Sequence, residues 1–432
     1  MFSILQHHLA KRKQGISAGI YSVCSAHPWV IRAAVEQAVA DGSLLLVEAT
    51  SNQVNQFGGY TGMRPAAFRD FVLGHAETAG FAPERLILGG DHLGPNPWHA
   101  LPAAEAMVHA ETMVAEYVQA GFTKIHLDAS MACGDDPAQL SDGIVAQRTV
   151  QLCKVAESAC AQGNSPVYVV GTEVPVPGGA THSVHKLEAT SVSAAATTLA
   201  IHKRMFEEQG LAKVWPRVIA LVVQPGVEFD HDAVVAYDRQ KAKTLADWLR
   251  VQPEEIVFEA HSTDYQLPRA YAELVEDGFA ILKVGPALTF AMREALEALE
   301  DMESQLVPET QRSFLASAIE KTMLREPGNW MSYYAGDPVE QKLLRLYSYS
   351  DRVRYYWHRP EIAAAVTRLI SNLSSVTIPE SMLSRYLPAQ YLRRRKHEIA
   401  VDPVSLIVDK VRDVLRIYAA GCNEGAQLSH QV

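Results

Sequence analysis

Short apolar runs alternate with longer amphipathic stretches from the start of the chain to about residue 300. Eight runs rich in β-branched and other apolar residues predict strands, at residues 16–23, 44–49, 86–90, 124–127, 167–171, 218–223, 256–260 and 280–284. A polar or Gly/Pro-containing loop and a helical pattern follow each run, as at 28–41, 65–79, 103–120 and 191–209. This alternation indicates βα units around a parallel sheet, and eight such units fit one (β/α)8 TIM barrel.

Beyond residue 306 the strand runs stop and the pattern becomes helical. Residues 360–373 and 403–419 have the spacing of amphipathic helices, and aromatic residues concentrate at 330–334 and 347–357. We therefore predict an α/β chain with the barrel over residues 1–305 and a helical C-terminal extension, packed on the barrel, over residues 306–432. We interpret the aromatic residues of the extension as core or subunit interface rather than cofactor contacts.

A doubly wound sheet is the architectural alternative. That fold carries a glycine-rich phosphate turn after its first strand, whereas residues 22–27 here read SVCSAH. The sequence also lacks a GxxxxGK[ST] loop, so a nucleotide cradle is not visible and kinase activity is disfavoured. We favour the barrel.

Composition excludes several function classes. With 432 residues, of which 48% are hydrophobic, the chain can bury a large core. Its net charge of −10 disfavours nucleic-acid binding, because such affinity depends on Lys and Arg. No apolar run of 18 residues and no secretion signal is present, so we expect no membrane association and a cytoplasmic protein. The five cysteines form no CxxC pair and should be reduced.

The candidate chemistry lies in the residues that follow the strand runs, since catalytic groups of a TIM barrel occupy the carboxyl ends of its strands. These residues are unusually polar: Glu48, Asn52, Gln56, Asp91, His92, His126, Asp128, Ser130, Glu173, Gln224, Glu259, His261, Ser262, Asp264 and Lys283. Burying so many ionisable groups costs several kcal/mol per ion unless they pair or bind a cation. Imidazole and carboxylate donors suit Zn²⁺ or a similar divalent metal.

Three of these segments carry a resemblance to class II fructose- and tagatose-bisphosphate aldolases. Residues 89–94, GGDHLG, resemble the signature in which the Asp is the acid/base and the next His binds zinc. Thr172-Glu173 followed by Gly178-Gly179 is similar to a second aldolase segment. Glu259-Ala260-His261-Ser262 resembles the segment whose His is another zinc ligand.

Over nearly its whole length the chain is similar to the GatZ/KbaZ family, with the closer match in residues 47–56 and 58–63. That family is described as accessory subunits of class II tagatose-1,6-bisphosphate aldolase, and older records name its members putative tagatose 6-phosphate kinases. The resemblance implies carbohydrate catabolism, a catalytic aldolase subunit as partner, and a place in tagatose or galactitol breakdown. A homo-oligomer is an open alternative.

Two functions follow. The chain is either a non-catalytic, stabilising aldolase subunit with an aldolase-like metal site, or a metal-dependent ketose or ketose-phosphate 4-epimerase or aldolase in its own right. The aldolases place a third zinc-binding His where this chain has Gln224 and, further on, Glu228, which favours the first function. The many ionisable groups at the strand ends favour the second.

Site roles are assigned on the resemblance and on residue chemistry. We predict that His92, His261 and a carboxylate, Glu173 or Asp128, bind the metal, which polarises the substrate C2 carbonyl. Asp91 is the expected proton carrier at the C4 hydroxyl, with Glu173 and Asp128 as further catalytic candidates. The predicted substrate contacts, with phosphate assigned to Lys283 or Arg293, are Glu48, Asn52, Gln56, Ser130, Gln224, Ser262, Asp264, Lys283 and Arg293.

Overall fold

The eight predicted strands form a closed parallel barrel in the computed structural model, which describes residues 3–161, 165–172 and 187–423. The barrel strands are β1 (Ile20–Val23), β2 (Leu45–Thr50), β3 (Leu86–Leu93), β4 (Lys124–Leu127), β5 (Val167–Val170), β6 (Val218–Val222), β9 (Val257–Ala260) and β10 (Phe279–Val284). Their order around the barrel is β1-β10-β9-β6-β5-β4-β3-β2. This confirms the predicted TIM barrel. A small antiparallel hairpin, β7 (Glu228–Phe229) and β8 (Val234–Val235), follows β6.

Helices surround the barrel in the βα order that the sequence predicts. They are α1 (Ile4–Ala10), α2 (Pro28–Asp41), α3 (Pro65–Thr78), α4 (Ala103–Gln119), α5 (Asp142–Ala159), α6 (Val192–Glu208), α7 (Arg239–Arg250), α8 (Pro268–Asp277) and α9 (Pro286–Leu306). Proline stands at the first turn of α2, α3, α8 and α9, where its fixed φ suits a helix start and its missing N–H costs nothing.

The described residues after α9, up to residue 423, form six further α-helices, as the sequence predicts for a helical extension. They are α10 (Leu315–Arg325), α11 (Pro338–Tyr347), α12 (Pro360–Ser374), α13 (Glu380–Tyr386), α14 (Pro388–Arg395) and α15 (Pro403–Cys422). The last of them returns to the barrel, where it packs on α2, α8 and α9. Within the described ranges, no helix is long and apolar enough to cross a membrane.

The barrel interior is apolar at one end and charged at the other. At the amino-terminal end, Leu5 and Leu9 of α1 are buried against inward-facing strand residues such as Ile20, Ile87 and Ile281. Helix α1 is fixed in this position by a capping box between Ser3 and Gln6. It closes this end of the barrel, so that the polar groups collect at the opposite, carboxyl end.

Gly89 of β3 is required by a close approach inside the barrel. It lies opposite Glu48 of β2, and a Cβ atom at Gly89 would stand 2.5 Å from Glu48 Oε1. The missing side chain therefore gives the Glu48 carboxylate room to cross the barrel interior.

We predict that Leu5→Ala lowers the free energy of unfolding by about 2–5 kcal/mol, because it opens a cavity beneath the barrel. The matched control is Ile4→Ala on the same helix, whose side chain is exposed and should contribute less than about 0.5 kcal/mol. Urea unfolding of both variants measures the difference. Equal losses would contradict the role of α1 as the closure of the barrel.

Candidate metal centre

A buried ion-pair cluster fills the barrel near the carboxyl ends of the strands. We call Glu48, Asp91, Lys124, Glu259 and Lys283 the charged cluster. Lys124 Nζ of β4 lies 2.5 Å from both Glu48 Oε1 and Glu259 Oε2. Lys283 Nζ of β10 lies 2.8 Å from Asp91 Oδ1 and 3.5 Å from Glu259 Oε1, and it also contacts Glu48. Three carboxylates thus face two ammonium groups, which leaves one negative charge at the centre of the site.

Four side chains at this level have the donor types and the spacing of a metal site. Ligand atoms from Asp91, His126, Glu259 and His261 all lie within 4.8 Å of one another. All four residues are buried. Carboxylate oxygen and imidazole nitrogen together suit a divalent transition metal such as Zn²⁺. We call these four residues the metal-type group.

His126 carries the observation that best fits a metal. Its Nδ1 lies 2.9 Å from Asp91 Oδ1, and in the tautomer that donates this hydrogen bond Nε2 keeps its lone pair. Nε2 is buried and has no hydrogen-bond partner among the described residues. A buried imidazole nitrogen without a partner is costly, and a bound cation would satisfy it.

The predicted ligands are only partly brought together. His261 belongs to the metal-type group, with Nε2 3.1 Å from Glu259 Oε1. His92 is adjacent but outside the group: its Nδ1 faces Asp128 Oδ2 at 2.7 Å, and its Nε2 lies 3.7 Å from Asp91 Oδ2. Its role as a ligand stays a prediction, as does that of Glu173, which lies outside the described residues. Sequence alternation placed His126 and Glu259 at this end of the barrel, but it gave no reason to choose them as ligands.

The surroundings of Asp91 and His92 shift the pKa values of these two neighbours in opposite directions. Burial alone would raise the pKa of Asp91, but His92, His126 and His261 hold it well below the ordinary range, so Asp91 is ionised at neutral pH. Burial would likewise lower the pKa of His92, but Asp91 and Asp128 raise it to about 9. Without a bound metal, the pair therefore consists of a carboxylate and an imidazolium.

Backbone geometry at the strand ends is unusual in the same places. His92 and Ser262 have φ values of 49° and 52°, in the left-handed region that non-glycine residues rarely adopt. The pairing of β3 with β4 shifts register between Gly90 and Leu93, which re-aims the side chains in between. Such strain persists where the surrounding structure enforces it, and it is common at functional sites.

A cavity of about 390 Å³ opens above the charged cluster. Of the predicted site residues, those that line it are Asn52, Asp91, His92, His261, Ser262, Asp264 and Lys283. Glu48 lies beneath it, bound to the two lysines. The remaining described candidates, Gln56, Asp128, Ser130, Gln224 and Arg293, are not among the lining residues.

Each candidate outside the cavity is held by a neighbour. Gln56 Nε2 donates to the His109 carbonyl at 3.0 Å, and Ser130 Oγ donates to Asp128 Oδ1 at 2.6 Å. Gln224 Oε1 accepts the backbone N–H of Gly226 at 2.8 Å. Arg293 lies 3.3 Å from Asp351 Oδ1, and its expected place beside a substrate phosphate stays a prediction.

The sequence missed the part of the cavity wall that comes from beyond the barrel. Residues 352–358, which we call the covering segment, contribute Arg354, Tyr355, Trp357 and His358 to the lining. We expected the aromatic residues of this region to be core or interface. Tyr356 is buried as expected, whereas Tyr355 and Trp357 face the cavity.

Comparison with known proteins places the chain in a family. Residues 5–423 match the family model described as D-tagatose-1,6-bisphosphate aldolase subunit GatZ/KbaZ-like. The chain belongs to this GatZ/KbaZ-like family. A solved structure described as a probable tagatose 6 phosphate kinase from Sinorhizobium meliloti 1021 is 49% identical, with a TM-score of 0.87, and the match covers 94% of this chain and 100% of that one.

Solved aldolases match this GatZ/KbaZ-like chain only distantly. The YdjI aldolase from Escherichia coli K12 is 12% identical, with a TM-score of 0.42 over 70% of this chain and 88% of that one. Fructose-bisphosphate aldolase from Campylobacter jejuni is 13% identical, with a TM-score of 0.42 over 86% and 92%. Likeness at this level says nothing about activity.

We predict that His126→Ala and His261→Ala each lower the bound divalent metal to a small fraction of the wild-type content, because each removes an imidazole from the metal-type group. Metal analysis after loading with Zn²⁺ or Mn²⁺ measures this content. His99→Ala, at an exposed histidine, is the control and should leave it unchanged. Full occupancy in the His126 variant would contradict the ligand set, and His92→Ala in the same series tests the sequence-based ligand.

Proposed function

We propose that this chain is a divalent-metal-dependent enzyme that epimerises a ketose phosphate at C4 by reversible cleavage of the C3–C4 bond. The observation that carries the proposal is the metal-type group of Asp91, His126, Glu259 and His261 at the base of a cavity. A barrel needs only apolar filling for stability, so this buried set is more than folding requires. Zn²⁺ is the expected ion.

His126, His261 and Glu259 would hold the metal, which when bound supplies Lewis-acid polarisation of a substrate oxygen. Asp91 Oδ2 is the proposed acceptor of the proton from the C4 hydroxyl, because Asp91 Oδ1 is engaged by His126 and Lys283. Loss of that proton lets the C3–C4 bond break, which turns C4 into a carbonyl carbon and leaves the bonding electron pair on the C3 fragment as an enolate delocalised onto the C2 oxygen. The bond re-forms on the opposite face of that carbonyl, and the proton returns to the C4 oxygen, so no atom is gained or lost.

His92 and Lys283 would hold the fragments in place. Asp128 Oδ2 fixes the His92 ring through Nδ1, and His92 lines the cavity, so its Nε2 would face a substrate oxygen. Lys283 holds Asp91 in position through an ion pair of 2.8 Å with Oδ1. The covering segment excludes water from the cavity, which favours re-addition over release of two products.

We expect Asp91→Asn to lower the conversion of tagatose 6-phosphate to fructose 6-phosphate by roughly 10²–10⁴-fold, since the amide cannot accept the proton. A coupled assay for fructose 6-phosphate measures the rate, and metal content is determined on the same sample. Asp70→Asn, at an exposed residue of α3, is the control. Wild-type protein loaded with Zn²⁺ or Mn²⁺ that changes neither ketose phosphate would refute the proposal, and accumulation of triose phosphate would identify a lyase instead.

A second candidate function, a stabilising subunit for a separate class II tagatose-bisphosphate aldolase, is favoured by the family description and by one surface. Val339, Leu343 and Tyr347 lie four residues apart on α11 and are 67%, 51% and 64% exposed. This spacing places them on one helix face. We propose that the catalytic aldolase subunit packs against this apolar face.

On this second function, Leu343→Asp should remove the stabilising effect of the chain on the yield and activity of a co-expressed class II aldolase, because it places a charge in the contact. Val108→Asp, at an exposed valine of α4, is the matched control and should retain the effect. Co-purification and aldolase activity measure the outcome. A homo-oligomer that leaves the aldolase unchanged would exclude the partner role.

A further inference from the structure

In this chain a carboxylate of the protein occupies the position at which TIM barrels commonly bind a phosphate group. Phosphate groups in such barrels commonly bind at the loops after the last strands and at a nearby helix N-terminus. Here Asp264 Oδ1 accepts the backbone N–H of Gly285 at 3.0 Å and of Ala287 at 2.9 Å, at the start of α9. A carboxylate that holds these donors repels a second anion, so a substrate phosphate must bind elsewhere.

The other residues to which phosphate was assigned are also engaged. Lys283 contacts three carboxylates of the charged cluster, and Arg293 lies next to Asp351, away from the cavity. Their positive charges are therefore neutralised within the protein. Neither is available to a phosphate in this arrangement.

Arg354 of the covering segment differs from Lys283 and Arg293 in its ion-pair partners. It is the one arginine among the described residues that line the cavity, and no carboxylate of the described chain lies within ion-pair distance of it. Nη1 donates to the carbonyls of Ser350 and Asp351, and Nη2 donates to Tyr355 Oη at 2.9 Å. These neutral partners orient the guanidinium, and the Asp264 and Asp351 carboxylates act on its charge only from beyond ion-pair distance.

The surroundings of Arg354 reinforce its positive character. Arg352 stacks on the rings of Tyr333 and Tyr355, with its guanidinium carbon 3.4 and 4.9 Å from their centroids. The ring of Tyr60, from the loop after β2, packs against that of Tyr355 at 4.9 Å. Arg354, Tyr60 and Tyr355 line this side of the cavity, and Arg352 adds a second positive charge behind the Tyr355 ring.

We infer that Arg354 binds the phosphate group of a monophosphorylated ketose and orients the sugar so that its other end reaches the metal-type group. This inference rests on the proposed function for the reaction. It adds that a single phosphate is recognised, because one uncompensated guanidinium faces the described cavity, and that specificity comes from the C-terminal extension rather than from the barrel.

The test compares fructose with fructose 6-phosphate as substrates of Arg354→Gln. We expect kcat/KM for the phosphorylated ketose to fall by roughly 30-fold or more, mainly through KM, and kcat/KM for the unphosphorylated ketose to fall by no more than about 3-fold. Inorganic phosphate should bind the wild-type protein in calorimetry and fail to bind this variant. Arg368→Gln, at an exposed arginine of α12, is the matched control and should behave as wild type.

Arg354 also holds two backbone carbonyls, so Arg354→Lys is made in parallel. The lysine keeps the charge but loses the planar pair of donors, and we expect an intermediate loss confined to the phosphorylated ketose. Equal losses on both ketoses, or unchanged phosphate binding, would overturn the anion site and leave the proposed reaction standing. If no ketose is turned over, phosphate binding still decides the role of Arg354, and only the proposed reaction fails.

Discussion

The geometry of the candidate site depends on two lysines that are buried among three carboxylates. Lys124 bridges Glu48 and Glu259, and Lys283 bridges Asp91 and the same two glutamates. Removing one partner from a buried pair costs about 3–5 kcal/mol, because a charge is left without compensation. Loss of any one of these partners should therefore destabilise the barrel. The apolar packing of α1 at the opposite end contributes stability that offsets part of the cost of burying these charges.

The contacts of the charged cluster and its neighbours also restrict the movement of the site residues. Gly89 makes space for the Glu48 carboxylate, the lysines fix Glu48 and Asp91, and Asp128 fixes the His92 ring. His92 and His261, which face the cavity, are thus held by Asp128 and Glu259, which do not line it. A site built in this way has little reorganisation left to perform when charge develops on a substrate.

Local patterns were sufficient for the fold because each βα unit carries its own signal. The eight strand runs, the loops after them and the helical tail were all predicted. The alternation of side chains along a strand also predicted that His126, Glu259 and His261 lie at the carboxyl end of the barrel, since this period-two geometry is a local property. It could not decide which imidazole would stand beside Asp91, because that depends on the height and tilt of neighbouring strands. Thus His92 was chosen as a ligand, and its ring turns toward Asp128.

The residues that sequence reasoning missed or misplaced depend on contacts across long stretches of chain. Lys124 was read only as the start of a strand, and its burial between residues from two other strands has no local signature. Arg293 follows the last strand, as a phosphate ligand would, but Asp351 reaches it from the extension. Asp351 also accepts a hydrogen bond from Thr289 at 2.6 Å, so the pair anchors the start of the covering segment on α9.

The position of the covering segment in the chain has a consequence for protein synthesis. Every residue of the charged cluster and of the metal-type group has been synthesised once the last barrel strand, β10, is complete at Val284. Arg354 and Tyr355 follow about seventy residues later, a few seconds at ordinary rates of translation. The growing chain therefore passes through an interval in which the chemical centre is complete and uncovered.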